Sequence, residues 1–172
     1  MNLIDDQKLD QLAKELGEIL IQRGFMLTSA ESCTGGWIGQ TLTSIPGSSK
    51  WYERGFITYS NTSKCEMLGV SHDSLKKFGA VSEQIASEMA SGAISSSSAQ
   101  VSIAVTGIAG PGGATEGKPV GMIFHSWAIK DGLTRTAVCF LEGNRESIRK
   151  QAVAIALQGA VDLLLDAPPA VI

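Results

Sequence analysis

Histidine is almost missing from this chain: His72 and His125 are the only two among 172 residues. A thiol nucleophile is thereby left short of its usual partner. Cysteine is scarce too. Cys33, Cys65 and Cys139 are an odd number with no CxxC spacing, which argues against a disulfide framework and a zinc site alike and reads as three reduced thiols. No apolar run approaches the roughly 20 residues of a membrane helix. Asp5, Asp6, Lys8 and Asp10 stand where a signal peptide would need a basic region and an apolar core. A cytoplasmic protein with no membrane partner is expected. Excess basic charge is also lacking: 14 Lys and Arg against 17 Asp and Glu leave a formal net charge of -3. Nothing supplies a general attraction to nucleic acid, and an anionic ligand must be held by local features.

The length suits one domain over residues 1–172, large enough to bury well over half the surface of the unfolded chain. Leu9, Leu12, Leu16 and Ile19, with Leu20 beside them, form the stripe of an amphipathic helix over residues 5–23 that Gly24 stops. Phe25 to Ala30 read as a buried strand running into Glu31-Ser32-Cys33-Thr34-Gly35-Gly36 and a helix from Trp37 to Leu42, closed by Pro46 and Gly47. Gly55 to Tyr59 give a second strand, followed by a short helix through Lys64, Met67 and Leu68. Ser71 caps a brief turn ending at Gly79, and Ser82 caps a helix with Ile85, Met89, Ala93 and Ile94 on one side. Val101 to Val105 form a third strand, and the glycine-rich stretch from Thr106 to Gly117 is expected to be a loop. Val120 to Ile129 and Leu133 to Phe140 are joined by Asp131-Gly132, a two-residue hairpin signal, so they run antiparallel. A last helix, from about Arg145 to Leu165, is capped by Asn144 and closed before Pro168 and Pro169. Two early strand-helix units imply parallel pairing and the late hairpin an antiparallel strand. The expectation is an α/β fold with a mixed sheet of about five strands, covered by helices on both faces.

Four constellations carry chemistry. Ser32 follows a strand of a parallel pair, where α/β proteins bind ligands. The N–H groups of Cys33, Thr34, Gly35 and Gly36 are placed to meet a developing oxyanion; capping the next helix is the alternative role for that serine. Cys33 is a rival nucleophile, disfavoured for want of a histidine. Tyr59 and Lys64 leave the second strand, beside Ser32 if the two strands are neighbours. A lysine must then supply the base, with burial lowering its pKa, and Tyr59 could relay a proton or orient the substrate; an exposed lysine is the competing reading. Thr106, Gly107, Gly110 and Gly112 belong to a loop that can form an anion-binding concavity, although it matches neither a Walker loop nor a dinucleotide fingerprint. Arg145 opens the last helix, where its guanidinium and the helix N–H groups suit a phosphate. Asp and Glu show no paired spacing, and neither metal nor cofactor is expected.

Taken in order, AESCTGG at 30–36, YSNTSK at 59–64, GAVSEQIA at 79–86, TGIAGPGG at 106–113, KPVG at 118–121 and GNRESIR at 143–149 resemble one family, the C-terminal domain of the competence-damage protein CinA. The resemblance covers nearly the whole chain. It implies a three-layer α/β/α sandwich whose five-stranded sheet has order 21345 with the fourth strand antiparallel. The activity it implies is hydrolysis of nicotinamide mononucleotide to nicotinate mononucleotide and ammonia, in pyridine nucleotide recycling. The family's serine nucleophile falls on Ser32, its lysine base on Lys64, and Tyr59 lies in the same motif; a homodimer is also implied. The last helix departs from the family pattern, with Gly143-Asn144-Arg145 in place of Gly-Asp-Arg. Asn caps a helix as well as Asp does. A nucleotide-binding sensor without turnover and an interaction module like the anticodon-binding domains are the competing classes, the latter opposed by the acidic balance.

Overall fold

The structure, a computed structural model, describes residues 4–167. Helix α1 (Asp6–Arg23) starts where the Asp5 side chain accepts from the Lys8 N–H and stops at Gly24 in the left-handed region. The chain then forms β1 (Leu27–Glu31), α2 (Trp37–Thr43), β2 (Tyr52–Ile57), α3 (Asn61–Leu68), α4 (His72–Phe78) and α5 (Glu83–Ser95). It ends with β3 (Val101–Gly107), β4 (Met122–Ile129), β5 (Thr134–Phe140) and α6 (Arg145–Asp166). The sheet order is β2-β1-β3-β4-β5. β1 pairs in parallel with β2 and β3, while β4 is antiparallel to both β3 and β5. The mixed sheet and its odd fourth strand are thus as expected.

Alternation along the strands sorts the core into two. Leu27, Val101, Ile103, Val105, Ile123 and Trp127 face α1, α2 and α6, whereas Ala30, Phe56, Ala104 and Ala128 face α3 and α5. The alanines on the second face let α5 sit close to the sheet. On the first face α6 comes so near that a Cβ at Gly159 would collide with the Trp127 ring, and the Trp127 indole donates to the Ala156 carbonyl at 2.7 Å.

Several boundaries differ from the sequence reading. β1 begins at Leu27 rather than Phe25, because the Phe25 N–H still closes α1 on the Leu20 carbonyl and that of Met26 goes to the Gln100 side chain. β2 covers Tyr52 to Ile57, earlier than the expected Gly55 to Tyr59: Gly55 lies mid-strand, beside the Tyr52 hydroxyl and Ser29. Thr106 and Gly107 end β3 and pair with Phe124 and Ile123, so the loop starts two residues late. The hairpin turns on Lys130-Asp131, with Gly132 N–H returning to the Ile129 carbonyl, and Asp131 takes the positive φ of 56°. Asn144 caps α6 as expected; Pro168 and Pro169 lie outside the described residues.

Candidate active site

β1 delivers the first functional residues. Its last residue, Glu31, stands beside Ile57 of β2 and Val105 of β3, and the next peptide keeps the register, Ser32 N–H donating to the Val105 carbonyl at 3.0 Å. On the other side, Thr58 N–H donates to the Glu31 carbonyl at 2.8 Å, which ties the exit of β2 to the loop that carries Ser32. Ser60 and Ser63 then form a reciprocal capping box, so α3 starts at once. One turn in, Lys64 is directed back at the strand ends.

Its Nζ lies 3.0 Å from Ser32 Oγ and donates to the Thr58 carbonyl at 2.8 Å. Lys64 is 1% exposed and Ser32 9%. Burial pushes the Lys64 pKa below the ordinary lysine range, against a smaller opposing pull from Cys33 and Cys65. The solvated-lysine reading is thereby overturned. A neutral amine held on a carbonyl by one N–H keeps a lone pair for the serine hydroxyl.

The loop after Ser32 corrects one expectation. Glu31 is buried, and its carboxylate accepts from the Thr34 hydroxyl at 2.7 Å and from the N–H groups of Gly36 (3.0 Å), Ile38 (3.0 Å) and Gly39 (2.9 Å). An internal anion therefore occupies the N-terminus of α2. Gly35 N–H goes to the Ser32 carbonyl at 3.1 Å. Gly35 and Gly36 thus have no N–H to offer an oxyanion, and only Cys33 and Thr34 keep theirs. The thiol of Cys33 packs in the core, where burial pushes its pKa up to about 12, so it stays protonated at neutral pH.

Ser32 and Lys64 open into a cavity of about 250 Å³ whose wall includes Tyr59, Thr106, Gly107, Gly110, Gly112 and Arg145. Ser32, Cys33, Tyr59, Lys64, the 106–112 segment and Arg145 therefore converge from four segments, whereas Thr34, Gly35 and Gly36, also predicted, do not line the cavity. Arg145 reaches in from the start of α6, donating to the Gly110 carbonyl at 2.6 Å and the Tyr59 hydroxyl at 3.2 Å. Tyr59 is 64% exposed, and its hydroxyl meets Arg145 rather than the serine or the lysine, which makes it a wall of the pocket. The Thr106 hydroxyl donates to the Ala80 carbonyl at 2.8 Å, pinning the segment before α5 to the site. Neither histidine takes part. His125 is buried against α6 with Nε2 on the Ala152 carbonyl and its pKa lowered to about 4 by burial, and His72 Nδ1 lies 3.6 Å from Cys65 Sγ. Sequence reasoning gave no role to Glu31, Asn61, the Ala80-Val81 pair or Arg149. For Glu31 the available signal was a carboxylate directly ahead of a loop and a helix start, where N–H groups go unpaired.

The family model of the CinA C-terminal domain matches residues 9–164. The chain belongs to the CinA C-terminal domain family. Among its relatives is the nicotinamide-nucleotide amidohydrolase PncC of Escherichia coli (strain K12), 47% identical over 155 residues, covering 89% of this chain and 93% of that protein. The crystal structure of the competence damage-inducible protein A of Klebsiella pneumoniae superposes with a TM-score of 0.90 at 34% identity, covering 93% of this chain and 99% of that one. The competence/damage inducible protein CihA of Agrobacterium tumefaciens gives 0.88 at 40% identity over 95% of this chain and 98% of that one. The CinA fold is thus shared along almost the entire length.

Proposed function

We propose that this CinA-family chain is a nicotinamide-nucleotide amidohydrolase, converting nicotinamide mononucleotide and water to nicotinate mononucleotide and ammonia in pyridine nucleotide recycling. The observation that carries the reading is the 3.0 Å contact between Ser32 Oγ and the buried Nζ of Lys64 at the wall of a cavity of about 250 Å³, in a chain whose relatives include proteins named for that reaction. Neutral Lys64 takes the Ser32 proton as Oγ attacks the carboxamide carbon, and the oxyanion meets the N–H group of Cys33, which lines the cavity. Protonated Lys64 returns the proton to the leaving nitrogen, and the C–N bond breaks to release ammonia. Water, deprotonated by the same amine, then cleaves the ester and restores Ser32. The cationic pyridinium draws electron density from the carbonyl, which helps a serine-lysine pair suffice.

Ammonia release from nicotinamide mononucleotide, followed with a coupled dehydrogenase, tests this directly. Turnover that depends on Ser32 is expected; nucleotide binding without any ammonia would replace the enzyme with a sensor.

Arg145 is assigned to the phosphate. Its recorded partners are a carbonyl and a hydroxyl, not a carboxylate, so its charge remains available for an anion. Losing one charge-assisted contact of about 2 kcal/mol corresponds to about 30-fold. Arg145→Ala should therefore raise KM for the nucleotide by about that factor, with kcat changed by less than about 3-fold. Slow turnover of free nicotinamide, which has no phosphate, should be spared; steady-state kinetics on both substrates read this out, and an unchanged nucleotide KM moves the phosphate elsewhere.

A further inference from the structure

Arg149 lies one turn beyond Arg145 on α6, a spacing that puts both on one face of the helix. It does not line the substrate cavity. Its Nε donates to the Cys33 carbonyl at 3.0 Å and its second guanidinium nitrogen to the Thr34 carbonyl at 2.8 Å, while the guanidinium lies over the Trp37 ring, 5.2 Å from its centroid. Two successive carbonyls of the nucleophile loop are thus gripped by one rigid fork. Because a trans peptide is planar, its N–H is opposed to its C=O. Holding the Cys33 carbonyl turns the Thr34 N–H away from Arg149, and holding the Thr34 carbonyl does the same for Gly35, whose N–H meets the Ser32 carbonyl. Glu31 fixes the far end of the same loop through Gly36, Ile38 and Gly39. Thr34 N–H has no acceptor among the described residues, and Thr34 itself is fully buried behind the lining of the substrate cavity.

We infer that Arg149 is a positioning residue that clamps the Cys33 and Thr34 carbonyls, so that the turn directly after Ser32 holds its Oγ on Lys64 Nζ in the geometry of attack. The inference rests on the amidase reading and deepens it. A loop that drifts misplaces the attacking oxygen without removing a substrate contact, so the effect falls on kcat rather than KM.

Arg149 also borders an open cleft of about 730 Å³ shared with Gly35, Gly36, Trp37, Gln40 and Arg145, so a small cation can enter when the side chain is removed. Arg149→Ala is expected to lower kcat by about 100-fold, the scale of a misplaced catalytic group, with KM within about 3-fold. Guanidinium chloride at tens of millimolar should restore kcat at least 5-fold, and ammonium chloride should not. Arg149→Lys, which keeps the charge but loses the fork, should stay low. The amide resonances of Thr34 and Gly35 should shift in Arg149→Ala and move back with guanidinium. Those resonances decide the grip even if the wild-type chain releases no ammonia, an outcome that sinks the amidase reading alone. A raised KM with normal kcat, an unchanged kcat, a loss that guanidinium does not rescue, or unmoved Thr34 and Gly35 resonances would each overturn the assignment.

Discussion

Ser32→Ala should lower ammonia release from nicotinamide mononucleotide by about 10⁴-fold or more, the scale seen when a covalent nucleophile is removed, while the nucleotide still binds. Ser32 Oγ lies 3.0 Å from the buried Lys64 amine. No neighbour can take over. Cys33 is adjacent in sequence, but its thiol packs among core residues with a pKa near 12, which leaves about one molecule in 10⁵ as thiolate at pH 7. Cys33→Ala, made as the companion variant, should therefore retain turnover within about 5-fold. Binding survives in Ser32→Ala because Arg145, to which the phosphate is assigned, and the cavity walls at Tyr59 and the 106–113 segment are not touched by the substitution. Single-turnover kinetics and equilibrium dialysis separate the two quantities. Persistent turnover in Ser32→Ala, or its collapse in Cys33→Ala, would remove Ser32 from the nucleophile's role.

The meeting of Ser32 and Lys64 was legible because neighbouring parallel strands end side by side. Two motifs that follow such strands share a rim whatever the intervening sequence does. The burial of Lys64 was expected only from the chemistry asked of it. Residue type alone predicts a solvated amine, and it is the immediate start of α3 on its Ser60 and Ser63 box that turns the side chain inward. The loop hydrogen bonds were misassigned for a similar reason. Four consecutive N–H groups looked equivalent in sequence, yet the Glu31 side chain folds over the helix start and takes one of them, and the Ser32 carbonyl takes another. Arg149 touches Cys33 and Thr34 across more than a hundred residues of chain. Such a contact follows from how α6 crosses the sheet, which no local pattern encodes. The early start of β2 has the same origin: Leu27 N–H pairs with the Trp51 carbonyl, and the Trp51 ring lies where a Cβ at Gly17 of α1 would be.

Lys64→Met and Lys64→Arg should each lower kcat by about 10³-fold or more, the contribution expected of a general base that also serves as the acid. Methionine fills the volume but has no lone pair fit for the Ser32 proton. Arginine retains its proton at neutral pH, so charge alone cannot rescue it. The pH profile carries the sharper test. Burial lowers the pKa of Lys64, and the neutral amine is the active form; kcat/KM in the wild type must therefore fall as pH drops through that lowered pKa, and the residual activity of Lys64→Met must lack this limb. Stability follows with a defined sign. Between the lowered folded value and the unfolded value of about 10.4, the unfolded chain binds more protons, so stability from this group rises with pH over that interval. Urea unfolding across it should show the rise in the wild type and a flatter curve in Lys64→Met. A variant with the wild-type acid limb, or one that still turns over within 10-fold, would mean that another group takes the Ser32 proton.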